Sequence, residues 1–523
     1  MERTAPSFER KRFFTTFLSA LLFGLFAHLF GMIQSVASLD SLVWTHDYGG
    51  GVSSGRWMLA LLGELYTKWW GGWNLTFHNN LMALLLLGLS AYMILRIFDV
   101  RDLWLCGLWG GLFVSFPTVT VMFFYAFTAP YYALAILATV TAVYLTDRWR
   151  YGFLAAIPLL ACSLGVYQGF FPIAAGLYIL LLIGKAFTGS SFGALLLRGL
   201  YYGGNLLGGL LIYFSLMKVS ISRAGIGLTG YQGINQMGAI HFSAFPQMGL
   251  RIFDELHQIL TQRLYHVVNT PVIRTALVVL LAFSLAAAAY LAGKRAALVL
   301  RKGFGAGFVL LLVLLPLALH SIVFMCPNSY IYTLMVYALV LFFFLPILML
   351  HLVQPLLQSD RAQKVFSALR GGVLALLLVV ILNYGMQSNL NYTSLTFHYK
   401  QASAYWTGLV TQVQSQPDFS PDLPWAFVGY LEDDRIANPF YDEALSYDQN
   451  PAYLGTRENV FNGHARFAFI NQYLGLQLPL VSDETLLQIQ QDPAVQAMPA
   501  YPADGSISVQ EDVILIRLTL PED

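Results

Sequence analysis

Apolar stretches close to the ~20 residues needed to cross a bilayer recur along the chain. They fall at 13–34, 77–97, 103–124, 129–146, 152–167, 169–184, 199–217, 272–292, 304–324, 330–351 and 371–386. The pattern predicts a polytopic α-helical membrane protein with about 11 transmembrane helices. One step is ambiguous, because Phe153 to Ile183 reads either as one tilted helix or as two short ones hinged at Gly165 to Gly169. Its flanks are basic at both ends, with Arg148 and Arg150 before it and Lys185 and Arg198 after it. Basic residues gather on the cytoplasmic side, so two passes satisfy both flanks and one does not.

With two passes, the expected cytoplasmic segments hold 17 Lys and Arg, the external membrane loops 7, and the tail from Lys400 the remaining 5. The N-terminus is then cytoplasmic and the C-terminus extracytoplasmic. Three expected external segments are long enough for chemistry: 35–76, 219–271, and the tail from about 386. In the first, RWMLALLGELYTKWW from Arg56 to Trp70 alternates at helical spacing and ends in tryptophans, which suits a helix lying in the interface. In the second, Met248 to His257 has the same character, followed by Arg263 to His266. Plain loop packing is the competing reading of both.

Composition sharpens this picture: 57% of the 523 residues are hydrophobic and 11% charged, too apolar for a soluble core. The net charge of +1 conceals a segregation, since from Gln401 onward there are 17 Asp and Glu against 4 Lys and Arg. The tail is therefore expected to be a water-facing body, giving a membrane domain over 1–388 and an acidic extracytoplasmic domain over 389–523. It opens with a helical stretch, YTSLTFHYKQASAYWTGLVTQVQ. LPWAFVGYL reads as a buried strand and SVQEDVILIRLTL as a second one, so a small α/β domain is expected. No glycine fingerprint for nucleotide follows either strand. The first span, 13–34, is too long for a signal segment and lacks an Ala-x-Ala site, so it is read as uncleaved. Cys106, Cys162 and Cys326 form neither a disulfide framework nor a zinc pattern. The histidines show no paired metal-ligand spacing, so a divalent cation finds no support.

The predicted spans contain no acidic residue, which removes the usual signature of an ion-coupled transporter. Attention moves to the outer side, where the membrane domain offers Asp40, Asp47, Glu64, Asp254 and Glu255. Asp40 and Asp47 lie in SLDSLVWTHDYGGGVSSGRWML, with His46, Ser54 and Arg56 nearby. A glycosyl transfer needs a carboxylate to take the acceptor proton and a cation to hold the departing phosphate. Asp40, Asp47 and Arg56 supply both types. The competing readings are a helix cap or loop acid for each aspartate, and snorkelling to lipid headgroups for Arg56. Arg223, Arg251 and Arg263, with Lys218, are further cations for a lipid phosphate, each with a surface charge as its alternative. Tyr167 and Gln168, at the hinge between two helices, are candidates to contact sugar hydroxyls, or equally to bond a helix end.

These residues carry a resemblance to a known family. The stretches DSL from Asp40, SGRW from Ser54, FPTVTVMFFYAFTAPYYALA from Phe116, SLGVYQG from Ser163, NLNYTSLTFHY from Asn389, PWAFVGYL from Pro424 and MPAYPADGSISVQEDVILIRL near the end resemble the bacterial GtrII-type glucosyltransferases. These in turn resemble the GT-C class of multi-span enzymes. The resemblance implies a hexose, glucose by family, carried on undecaprenyl phosphate. It is transferred outside the cytoplasmic (inner) membrane onto a cell-surface polysaccharide, such as an O-antigen, or its lipid-linked precursor. It also implies a partner flippase and a donor-synthesising glycosyltransferase, and no nucleic acid. The catalytic acid of such enzymes lies in the first external loop, and the DSL match points to Asp40. Related loops often carry adjacent or one-spaced acids, whereas Asp40 and Asp47 are seven apart, so the choice between them stays open. A transporter or flippase of lipid-linked sugars, and a glycan polymerase, are the alternative functions.

Overall fold

The computed structural model describes residues 6–35, 38–43, 51–71, 74–230, 234–235, 242–294, 304–325, 330–431, 461, 465–510 and 512–519. The chain falls into two compact units, one made of Met1–Ser35 and Thr45–Asn389, the other of Val36–Trp44 and Leu390–Asp523.

In the first unit the apolar stretches fold as helices: α1 Pro6–Gln34, then, after the short α2 Leu39–Val43 of the second unit, α3 Trp57–Trp70, α4 Thr76–Phe98, α5 Leu103–Ser115, α6 Pro117–Phe124, α7 Ala129–Arg148, α8 Phe153–Val166, α9 Phe171–Phe187, α10 Phe192–Ala224, α11 Phe245–Thr261, α12 Pro271–Lys294, α13 Phe304–Leu319, α14 Ile322–Met325, α15 Leu341–Val353 and α16 Asp360–Gln414. Among the described residues, eight helices are long and apolar enough to cross a membrane, or nine if the bent pair α5 and α6 is one span. α8 and part of α13 are shorter apolar helices. At 1.5 Å per residue the 14 residues of α8 reach only about 21 Å, short of a ~30 Å hydrocarbon core.

Local chemistry sets the helix ends. The Asp102 side chain accepts from the Trp104 and Leu105 backbone N–H groups to start α5, and Ser191 caps α10 through Ala194 N–H. α1 packs against α4 and α5, α4 against α7, α7 against α8, and α8 against α10. α1 and α5 approach so closely that a Cβ on Gly110 would collide with the Thr16 carbonyl oxygen.

Three breaks in the helices come together. α5 and α6 meet at 43° because Pro117 holds Phe116 extended, and the Phe113 carbonyl beside the break accepts from the Tyr337 hydroxyl at 2.6 Å. α8 ends at the extended Tyr167, followed by a 3₁₀ turn, Gln168–Phe170. Between α14 and α15 lie two more 3₁₀ turns, Thr333–Met335 and Tyr337–Val340. Thr118 Oγ1 of α6 donates to the Thr333 carbonyl at 2.8 Å, and the 168–170 turn touches both later turns. Non-helical backbone at membrane depth survives only where protein or a polar cavity satisfies it, so this convergence marks where the bundle departs from simple packing.

α3 and α11 are the two amphipathic helices expected between spans. α3 leaves Leu61, Leu65 and Trp69 exposed in one stripe at four-residue spacing.

In the second unit, the residues of α16 from Leu390, α17 Ala465–Leu474, α18 Asp483–Gln491 and α19 Pro493–Gln496 accompany a three-stranded sheet. β1 Trp425–Val428 pairs in parallel with β3 Val513–Arg517, which pairs antiparallel with β2 Ile507–Gln510. Trp425 faces Ile514, and Ile507 faces Ile516. Ala426, Val428 and Leu515 bury one face of the sheet against Val495, Met498, Leu486 and Ile489. Phe427 meets Trp406 of α16, while the Arg466 guanidinium lies 4.8 Å from the Phe427 ring. α2 packs on α17.

Two sequence expectations need correcting. The expected single strand SVQEDVILIRLTL is a hairpin, with Asp512 in a left-handed conformation (φ 64°) between β2 and β3. The last apolar span and the helical opening of the tail are not separate elements but one 55-residue helix: no proline interrupts Asp360–Gln414, and at the junction the Ser388 hydroxyl and the Asn389 amide donate to the carbonyls of Tyr384 and Gly385 one turn back.

Candidate functional site

The segment Gly51–Arg56 forms a tight turn, with Gly55 N–H donating to the Val52 carbonyl at 3.0 Å and Arg56 N–H to the Gly51 carbonyl at 2.6 Å. Gly55 takes the left-handed φ of +72° that the turn requires. Three neighbours fix this turn. The Gln168 amide nitrogen donates both to the Ser54 carbonyl at 3.0 Å and to the Tyr213 hydroxyl of α10 at 2.8 Å. From the loop after α10, Thr229 N–H donates to the Ser53 carbonyl at 2.9 Å. Behind the turn, Trp57 packs against a cluster of Ala161, Leu164, Tyr213, Met217 and Ile234, which Met325 also joins.

The turn delivers Arg56 to an aromatic wall. Its guanidinium carbon lies 5.0 Å from the centre of the Tyr167 ring, and its Nη1 is 3.5 Å from the Tyr132 hydroxyl. Tyr132 and Tyr167 stack at 4.9 Å, with Phe170 edge-on to both. A desolvated cation over such a face gains about 1–2 kcal/mol, enough to hold a long side chain in one orientation. The site can therefore present a positive charge of fixed position beside the convergent helix breaks.

A second polar cluster lies elsewhere in the same unit. Glu255 of α11 is only 8% exposed, between Ile252 and Ile259 on the helix's inward face. Its carboxylate accepts from Arg251 Nε at 2.7 Å, from the Tyr265 hydroxyl at 2.7 Å, and from Nε2 of the fully buried His320 at 2.5 Å. Burial pushes the Glu255 carboxyl up, but the hydrogen bond and charge of His320, with the bonds from Tyr265 and Arg251, together hold it at about 2. Burial, together with the neighbouring Arg263, pushes His266 down to about 3, so it is neutral.

The structure thus brings Arg56, Tyr167 and Gln168 together, and sets Arg251 in the second cluster. Gln168 spends both amide hydrogens on Ser54 and Tyr213, so its nitrogen holds the turn. Arg223 is in the last turn of α10, and Arg263 sits at a turn with φ 59°. Asp40, half-buried in the first turn of α2, belongs to the second unit, whereas Arg56 belongs to the first. His46 and Asp47 lie outside the described residues, as does His241 of the second loop. Sequence reasoning missed Tyr132, Tyr213, Tyr265 and His320, and read Glu255 only as one acid among five. A signal for Glu255 was present: it follows Ile252 by three and precedes Ile259 by four, which puts a carboxylate on an apolar helix face. Among the described residues no group of three His, Cys, Asp or Glu side chains could hold a metal ion.

Fold and site define a multi-span membrane protein with an arginine fixed where its helices break. The sequence model of the family described as Glucosyl transferase GtrII matches residues 29–343, more than half of the chain, and the protein belongs to that family. Its membership points to glucosyl transfer at a membrane, and both polar clusters lie within the matched range. No curated protein and no solved structure matches the chain.

Proposed function

We propose that the protein is a GT-C-type glycosyltransferase. It moves glucose from undecaprenyl phosphate to a cell-surface polysaccharide, or to its lipid-linked precursor, on the outer side of the cytoplasmic membrane. The observation that carries this reading is Arg56, held by Tyr167 and Tyr132 on a turn that Gln168 pins. A fixed guanidinium can stabilise a phosphate as it departs without reorganising when charge develops.

The acceptor hydroxyl attacks the anomeric carbon from the side opposite the lipid phosphate, inverting the configuration. Its proton passes to an aspartate of the segment following α1, Asp40 or Asp47. The bond between the anomeric carbon and the phosphate oxygen breaks, and the lipid phosphate leaves with the electron pair and an added negative charge. The lipid phosphate is itself the leaving group, so an outward-facing site needs no nucleotide sugar. The segregation of basic residues supports a cytoplasmic N-terminus and an outward-facing Arg56, with α8 and α13 completing eleven crossings.

The test is transfer from purified undecaprenyl-phosphate glucose by protein in vesicles. Arg56→Ala and one of Asp40→Ala or Asp47→Ala should abolish product in protein that still folds, with Arg56→Ala lowering thermal stability only by the about 1–2 kcal/mol of its ring contact. Full activity in both aspartate variants removes the mechanism. A ladder of repeats instead of a single added sugar favours a polymerase, and sugar translocation without transfer favours a flippase.

A further inference from the structure

We propose that a groove between α1, α5 and α16 holds an anionic phospholipid of the leaflet in which α1 begins, with one acyl chain lying between the helices and its phosphate on Arg370. The ligand is a lipid of the bilayer itself, distinct from the sugar donor assigned to Arg56.

The groove exists because α16 is pinned to its neighbours at two levels and stands off between them. At the first level Arg370 donates to Asp102, the cap of α5, through Nε and Nη2. At the second, a Cβ on Gly385 would collide with the Phe26 ring of α1, and the Asn389 amide donates to the Phe26 and Ala27 carbonyls at 3.0 and 3.2 Å. The space left between is about 620 Å³. Ser19 of α1, Gly107 of α5 and Ala375 of α16 border it, and small residues of this kind normally let spans close up. α1 and α5 do close up, with the Ser19 hydroxyl donating to the Gly107 carbonyl at 2.7 Å, whereas α16 does not follow. Phe23, Leu374 and Leu378 border the same space, so it suits hydrocarbon and not water. From Arg370 to Leu378 the wall rises about 12 Å, most of one leaflet of a ~30 Å core.

The mouth of the groove suits a phosphate. Trp104 borders it and is 73% exposed, as an indole at headgroup level would be. The Asp102 carboxylate beside it is saturated, since it accepts from the Trp104 and Leu105 backbone N–H groups as well as from Arg370. Arg370 is therefore held in one plane, with Nε and Nη2 spent. Its Nη1 has no acceptor among the described residues, and the side chain is 27% exposed at the groove. A planar fork with an open edge matches a phosphate oxygen.

The surrounding charge has the same sign. Where these three helices begin, Arg10, Lys11, Arg12, Arg101, Arg361, Lys364 and Arg370 face only Glu9, Asp99, Asp102 and Asp360. Arg12 and Arg101 are paired with those acids, whereas Arg10, Lys11, Arg361 and Lys364 are exposed. Each basic residue near the surface attracts an anionic headgroup by about 1 kcal/mol, so the surplus favours a lipid with net negative charge over a zwitterionic one.

The experiment titrates phosphatidylglycerol or phosphatidylcholine into full-length protein stripped of lipid in detergent. Bound lipids are counted by native mass spectrometry, and the thermal midpoint is followed in parallel. The wild type should retain one phosphatidylglycerol about tenfold or more tightly than phosphatidylcholine. Ala375→Trp fills the groove from an exposed position and should weaken phosphatidylglycerol about tenfold or more, whereas Val365→Trp, exposed on the same helix but outside the groove, should leave it unchanged. Arg370→Gln should weaken phosphatidylglycerol about tenfold and leave phosphatidylcholine alone, the loss of one charge-assisted bond. Should Arg370→Gln fail to fold, the two tryptophan variants still decide. Equal affinity for the two lipids in the wild type overturns the proposal, because the groove is then filled by bulk lipid. Unchanged phosphatidylglycerol binding in Ala375→Trp also overturns it, because the lipid then sits elsewhere. No sugar transfer is read, so either failure leaves the proposed activity standing.

Discussion

Gly55→Ala isolates the turn that positions Arg56. Gly55 and Gly225 have nearly the same left-handed backbone, with φ +72° and +65°, so an alanine at either costs about 1–2 kcal/mol of backbone strain. The reduction in unfolded-chain freedom is also common to both. Their surroundings differ. A Cβ on Gly225 meets nothing within 4 Å, whereas one on Gly55 would sit 2.8 Å from the Tyr213 hydroxyl, 3.1 Å from the Gln168 amide nitrogen and 3.1 Å from Met217 Sδ. To make room, Gln168 must give up its bonds to Ser54 and Tyr213, each worth about 1 kcal/mol. Gly55→Ala should therefore cost about 3–4 kcal/mol against about 1–2 for Gly225→Ala. The assay pairs thermal unfolding in nanodiscs with steady-state transfer from undecaprenyl-phosphate glucose. Gly55→Ala should lower activity about tenfold or more through displacement of Arg56, while Gly225→Ala should leave the donor KM alone. Equal stability losses, with unchanged transfer in both, would refute the reasoning that this turn aims Arg56.

Further outcomes follow from the same contacts. Gln168→Ala removes both bonds without a new collision and should destabilise by about 1–3 kcal/mol, with a higher donor KM read in the same transfer assay. Tyr337→Phe leaves the Phe113 carbonyl unsatisfied at the break between α5 and α6 and should cost about 1–3 kcal/mol by thermal unfolding. The Glu255 carboxyl is held at about 2 in the folded protein, below its ordinary 4.5. Between these values the unfolded chain binds more protons, so the stabilisation is present above pH 4.5 and is lost as pH falls toward 2. Glu255→Gln should flatten that acid limb in a series of unfolding midpoints against pH, and an unchanged slope would contradict the network. His320→Ala removes one of the three donors to Glu255 and should cost about 1–3 kcal/mol, measured by the same unfolding.

The helical spans were legible because twenty apolar residues in a row admit few alternatives. The amphipathic helices at 57–70 and 245–261 were legible too, since their periodicity is local. Of the candidate site, Arg56, Tyr167 and Gln168 were named from two motifs more than a hundred residues apart. Their roles were not, because nothing in SGRW or VYQG says that the Gln168 amide would spend itself on a backbone carbonyl. Tyr213 carried no signal, and Tyr132 lay within the family-like stretch from Phe116 without being marked out, as tyrosines in apolar helices are common and only packing selects which one meets a cation.

By itself the amino-acid sequence determined the membrane class, the family resemblance, the polarity segregation between the spans and the acidic tail, and the residue types available for sugar transfer. These depend on composition and on periodicities that repeat within a few turns. Tertiary structure alone decided that α5 bends into α6, that the last span continues unbroken into the tail helix, and that Glu255 turns inward to meet His320, 65 residues away. Those outcomes depend on which distant groups satisfy a broken backbone or a buried charge. Hydrogen-bond partners drawn from separate helices leave no periodic trace in a one-dimensional string.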